Sequence, residues 1–187
     1  MALNFLKPTY LVKSVYDLSV AELKDQGIKA VLTDLDNTLL AWNNPNGTPE
    51  LHAWLQELKE ADIEVVVVSN NTWDRVKKAV AGLDVDYVAW SLKPLPRGIL
   101  KVLKKQGLKK EEVLMVGDQM LTDVWAAHLA GVRSVLVKQL VESDMWQTWL
   151  NRSIEKLAKR IIYRKFGGPI WHDSLGVAAE SKDNKTN

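Results

Sequence analysis

Five short β-branched runs, each separated from the next by a stretch with helical spacing, constrain this chain more than any other feature. The runs are Lys29–Asp34, Ile63–Ser69, Tyr87–Trp90, Val113–Gly117 and Ser134–Lys138. Strands that alternate with helices in this way are βα units around a parallel sheet, because parallel neighbours need a crossover between them. Val65–Val68 is continuously apolar, as a strand covered on both faces must be, and is expected mid-sheet. Thr48 caps and Pro49 opens a predicted helix to about Ala61, with Leu51, Trp54, Leu55 and Leu58 on one face. Further helices are predicted over Thr72–Ala81, Arg97–Gln106 and Thr122–Ala130, followed by Gly82, Gly107 and Gly131 as stops.

At 187 residues the chain is one domain's worth, expected over 1–172 with its motif core at about 29–138. Residues 1 to about 28 read as a lead-in with one helix, Val20–Gln26, and 173–187 as a disordered polar tail. With no Cys, disulfides, thiolate metal sites and cysteine nucleophiles are excluded, and the cytoplasm is the expected compartment. No apolar run approaches the roughly 18 residues of a membrane span, so no integral membrane segment is expected. A net charge of +2 leaves partners open.

The chemistry gathers where strands stop. In Thr33-Asp34-Leu35-Asp36-Asn37-Thr38 two acids two residues apart point the same way from the sheet's carboxyl edge, where open α/β sheets hold ligands. Alone, this spacing also suits an Asp- and Asn-rich turn. Ser69 and Asn70 follow the second run and offer a hydroxyl and N–H groups at a helix start, where a phosphate could sit. Lys93 lies just beyond the third run, and Gly117-Asp118 and Asp123 end the fourth with two more acids. Each has an ordinary reading as a cap or a solvated charge; four such coincidences at one sheet edge favour a site.

In that order these residues resemble the four motifs of the haloacid dehalogenase superfamily. Leu32–Leu39, Ser69-Asn70-Asn71 and Lys93-Pro94 look like the small YqeG-type phosphatases of its IIIA group. The resemblance implies a three-layer Rossmann-like α/β fold with a mostly parallel sheet of about five strands. It implies a Mg²⁺-dependent phosphatase in which Asp34 is the nucleophile and Asp36 first donates and then accepts a proton. Asp34, Asp118 and the Asp36 carbonyl would hold Mg²⁺, with Asp123 supporting the metal site from outside. Ser69, Asn70 and Lys93 would hold the phosphoryl group. A phosphate-sensing module without turnover and a phosphoryl-accepting receiver domain are the competing readings; the acid at Asp36 speaks against the first, and the acids placed after the lysine speak against the second.

About thirty residues separate Thr38 from Ser69 and about two dozen separate Ser69 from Lys93, so no cap domain fits at either point. An open site suits a phosphate carried on something large: a protein, a nucleic-acid end or a lipid headgroup. Of these a lipid leads and no nucleic-acid partner is expected, because YqeG-type proteins also resemble mitochondrial phosphatases of the superfamily that act on phosphatidylglycerophosphate. A phosphoprotein or a soluble metabolite is the alternative. Trp42, Trp73 and Trp90 follow strand ends and are candidates for the rim, with packing as the other reading. Within a predicted helical segment at about 143–166, residues 154–166 form a basic amphipathic helix, suited either to docking on the sheet or to an anionic membrane. Oligomeric state is not defined by the sequence.

Overall fold

The computed structural model describes residues 4–41, 44, 46–141, 160, 164 and 170–176. Trp42, most of the helical segment 143–166 and the tail beyond residue 176 lie outside the described residues. The elements run β1 (Tyr10–Val12), α1 (Val20–Asp25), β2 (Ala30–Thr33), α2 (Pro49–Glu60), β3 (Glu64–Val68), α3 (Trp73–Val80), β4 (Asp86–Val88), α4 (Arg97–Gln106), β5 (Val113–Gly117), α5 (Trp125–Ala130) and β6 (Arg133–Val137). All five strand pairings are parallel, in the order β1-β6-β5-β2-β3-β4.

Side-chain alternation along the strands builds a core on each face. Val31, Val65, Val67, Leu114 and Val116 meet Leu51, Trp54 and Leu58 of α2 and Val76 and Val80 of α3. Leu32, Val66, Val68 and Met115 meet Ile99 and Val102 of α4 and Ala126, Ala127 and Ala130 of α5. Apolar residues on both faces of one strand require helices on both sides of the sheet, and three layers result. β3 is interior, as its valine run demands.

Among the described residues the sheet has six strands rather than about five. The additional strand, β1, lies in the segment read as a lead-in and pairs with β6 through Tyr10↔Val135 and Val12↔Val137. Thr9 and Ser134 lock this edge by exchanging N–H···Oγ bonds of 3.2 and 3.1 Å. Three residues carry too little pattern to be read locally, and the partner lies far along the chain. The edge is extended by His172, whose N–H donates to Leu11 O at 3.0 Å. Of the segment read as a tail, residues 173–176 are described: Leu175 is buried and Asp173 pairs with Lys13 at 2.6 Å.

Candidate active site

From β2 the chain passes to β3 and β4 on one side, then returns to place β5 and β6 on the other. Connections leaving to opposite sides open a crevice at the carboxyl end of β2. Asp34 stands there, the first residue past the strand, its N–H bonded to Val116 O at 2.9 Å and its side chain 13% exposed. Beyond it the chain turns tightly: Leu39 and Leu40 N–H both reach Leu35 O, and Asn37 N–H reaches Leu40 O at 2.8 Å. Asn37 takes φ 63°, a left-handed conformation that Asn enters more readily than most residues. Leu35, Leu39 and Leu40 are buried and pin the turn from below, while Thr38 donates to Asp118 Oδ1 at 3.3 Å. The turn thus aims one acid inward and the other outward.

Lys93 is buried, its side chain 2% exposed, and its ammonium lies 2.6 Å from Asp34 Oδ1 and 2.8 Å from Asp123 Oδ1. Burial works against its charge, but the Asp123 and Asp34 carboxylates outweigh this and raise its pKa. Burial is also the main reason that Asp34 is pushed up to about 7; Lys93 opposes the shift, and the negative charges of Asp123 and Asp118 add to it. The crevice therefore holds more negative charge than its lysine neutralises. Asp118 is buried and receives Gln139 Nε2 at 2.7 Å in addition to Thr38.

An excess of carboxylate oxygens is a donor set that fits Mg²⁺, which takes one or two carboxylates and fills its remaining positions with other oxygens. Asp34 and Asp118 would be those carboxylates, and the Asp36 carbonyl would be one of the other oxygens. Among the described residues no cage of three or more acidic or imidazole side chains forms, and Mg²⁺ needs none.

The predicted helix from Thr122 begins earlier and differently. Met120–Val124 forms a wide π-type turn before α5, with Asp123 Oδ2 accepting from Gln119 N–H at 3.1 Å. That wider turn, a form frequent at functional sites, returns Asp123 toward Lys93. Gly117 leaves the space that the Asp123 carboxylate fills; a Cβ there would overlap it. Gly117→Ala is expected to destabilise the fold by about 1–3 kcal/mol and to lower activity with it. Thermal denaturation that matched wild type would show that Asp123 yields without cost.

Ser69 is buried, and its Oγ accepts from Asn71 N–H at 3.2 Å, keeping its own proton for a second bond. Asn70, expected to contact phosphate, has its side chain committed elsewhere. Its Oδ1 accepts from Lys93 N–H and Ser91 Oγ, both at 2.7 Å, and its Nδ2 donates to Lys93 O at 2.9 Å. The Asn70 amide therefore positions the loop that carries Lys93, and any role toward an anion falls to its backbone N–H.

Asp36 turns away from this buried group. One carboxylate oxygen accepts from Asn71 Nδ2, and the other pairs with Arg75 Nη2 at 2.6 Å. Asn71's side chain, Arg75 and Gln139 were not among the residues the motifs indicate. Arg75 did leave a signal: it sits in the first turn of α3, where the helix dipole disfavours a cation. Of the proposed rim, Trp73 is 56% exposed with its ring edge-on to Tyr87, and Trp90 is 59% exposed at φ 51°. Leu92 and Leu95 are exposed beside them in sequence, while Ser91 and Lys93 point inward.

Comparison with known proteins gives this geometry a context. The haloacid dehalogenase-like hydrolase profile matches residues 20–131. The "Probable phosphatase YqeG" of Bacillus subtilis (strain 168) is 36% identical over 165 residues, covering 88% of this chain and 96% of that protein. "Phosphatidylglycerophosphate phosphatase 1, chloroplastic/mitochondrial" of Arabidopsis thaliana is 25% identical over 86% of this chain, which spans 48% of that protein's length. An uncharacterized protein from Listeria monocytogenes serotype 4b, solved by crystallography, has the same fold at 16% identity and TM-score 0.50, over 63% of this chain and 85% of that one.

Proposed function

We propose a mechanism on the premise that this chain belongs to the haloacid dehalogenase-like hydrolase family and is a phosphatase. Asp34 attacks the phosphorus of a phosphomonoester, and the bond from phosphorus to the ester oxygen breaks as Asp36 delivers a proton to that oxygen. In the second half Asp36 takes a proton from water, whose oxygen attacks the aspartyl-phosphate, releasing inorganic phosphate and restoring Asp34. Lys93 offsets the charge that brings one anion to another, and Ser69 with backbone N–H groups steadies the transferring group. Mg²⁺, held by Asp34, Asp118 and the Asp36 carbonyl, would supply the remaining positive charge when bound. Asp123 holds Lys93 in place and supports the metal site from outside. The observation that carries this reading is the buried Lys93 ammonium joined to Asp34 and Asp123 at 2.6 and 2.8 Å.

For the substrate, phosphatidylglycerophosphate is the leading candidate. Two observations support it: the relationship to the Arabidopsis enzyme of that name, and the exposed Trp73 at the start of α3 with Trp90, Leu92 and Leu95 on the loop that follows β4, at the site's edge. Indole rings favour half-wet interfaces. No described helix is long and apolar enough to cross a membrane; the contact proposed is peripheral, at the inner face of a membrane bordering the cytoplasm. Of the segment 154–166, only Arg160 and Arg164 are described, both exposed.

The test is phosphate release by the full chain from an aryl phosphate, phosphatidylglycerophosphate in detergent micelles, a phosphopeptide and sugar phosphates. Activity is expected to vanish in EDTA and return with Mg²⁺, and the lipid is expected to give the highest kcat/KM. Undiminished turnover in EDTA would remove the metal from the mechanism, and a tenfold preference for the phosphopeptide or a sugar phosphate would replace the lipid.

A further inference from the structure

The crevice holds two cations that play opposite parts. Lys93 is enclosed, its ammonium paired with Asp34 and Asp123. Arg75 is 53% exposed and is tied to the site through one ion pair, Nη2 to Asp36 Oδ1, at a carboxylate that is itself 33% exposed. A guanidinium has five N–H donors in a planar fork, and among the described residues Asp36 is the one carboxylate within ion-pair distance of it. The remaining donors are on an exposed side chain at the outer side of Asp36.

Three facts say that this placement does more than hold Asp36. Asp36 already has a neutral donor, Asn71 Nδ2, on its other oxygen. A cation in the first turn of α3 runs against the helix dipole, so helix stability does not account for Arg75. An exposed ion pair adds little to stability, and its Arg can take a second anionic partner with little loss.

We propose that Arg75 determines specificity by reading an anionic group carried on the leaving alcohol of the substrate. Asp36, which serves the ester oxygen, marks the leaving-group side of the crevice. Arg75 lies beyond it, away from the phosphoryl group that Lys93 faces. A phosphodiester, carboxylate or second phosphate a few bonds past the ester oxygen would meet the outer edge of the guanidinium, which suits bidentate oxyanions. The substrate class is therefore a phosphomonoester with a second negative charge near the scissile bond. The inference rests on the phosphatase reading and deepens it, without requiring that the anion belong to a lipid.

The experiment compares 4-nitrophenyl phosphate with its ring-carboxylated analogue, which differs by one negative charge on the leaving group, in wild type, Arg75→Gln and Arg75→Lys with Mg²⁺. Wild type is expected to favour the carboxylated ester about tenfold in kcat/KM, mainly through KM, with the preference shrinking in high salt. In Arg75→Gln the ratio is expected to fall to near one, and Arg75→Lys to retain part of it. A wild-type ratio of one, or a ratio unchanged in Arg75→Gln, overturns the proposal. Equal loss on both esters with the ratio kept would make Arg75 a support for Asp36 alone and overturn it too. Hydrolysis of neither ester by wild type would instead bring down the phosphatase reading itself. Circular dichroism of each variant, with Arg75→Lys as the charge-preserving control, keeps folding apart from selectivity.

Discussion

Asp34→Asn is expected to abolish phosphate release, by about 10⁴-fold or more, while making the protein in EDTA more stable at pH 8. The second half follows from the proton affinity of the site. Burial, and then the charges of Asp123 and Asp118 against the opposing Lys93, raise the Asp34 pKa from 3.8 to about 7. Between those values the folded chain holds a proton that the unfolded chain has released, so stability falls as pH rises from about 4 through about 7. At pH 8 the full penalty of an ionised, crowded Asp34 is present. Asn carries no charge and removes it, and Lys93 still has Asp123 at 2.8 Å. The melting temperature of the variant should therefore exceed wild type at pH 8 in EDTA, by a margin that narrows at pH 5. Added Mg²⁺ should stabilise wild type more than the variant. An inactive variant that melts below wild type at both pH values would mean that the Asp34–Lys93 attraction, rather than repulsion among the acids, dominates the crevice.

The second large effect concerns the cation itself. Lys93→Met leaves Asp34 and Asp123 facing each other where water cannot screen them, and breaking a buried ion pair from one side costs about 3–5 kcal/mol. A loss of that size lowers the melting temperature of a chain this long by roughly 6–20 °C, and phosphate release should fall about 10³-fold or further. Two comparisons separate electrostatics from packing. The double variant Lys93→Met with Asp34→Asn should recover stability relative to Lys93→Met alone, since one of the opposed charges is gone. Lys93→Arg should not recover activity, because a planar fork cannot replace a compact ammonium between two carboxylates. If the double variant were as unstable as Lys93→Met, lost packing would be the cause.

Much of the architecture was legible because its signals are local. Strand ends at Thr33, Val68 and Gly117 fall within one residue of where the β-branched runs stop, and α4 occupies the Arg97–Gln106 span that its spacing and Gly107 predict. β1 was not legible, since three residues at an edge are specified by β6 rather than by their own pattern. The start of α5 was displaced because Asp123 answers to Gln119 and Lys93, neither of which shapes a helical period.

The order of acids, hydroxyl and lysine along the sequence determined which residues could meet, because in a parallel sheet every strand delivers its last residue to the same edge. Tertiary structure decided what each then does. It tied the Asn70 side chain to the Lys93 loop, Asp36 to Asn71 and Arg75, and Asp118 to Gln139. Those choices turn on distances of a few ångströms between residues 20 or more positions apart, and hydrogen bonds and ion pairs of that kind leave no periodic trace in the chain that makes them.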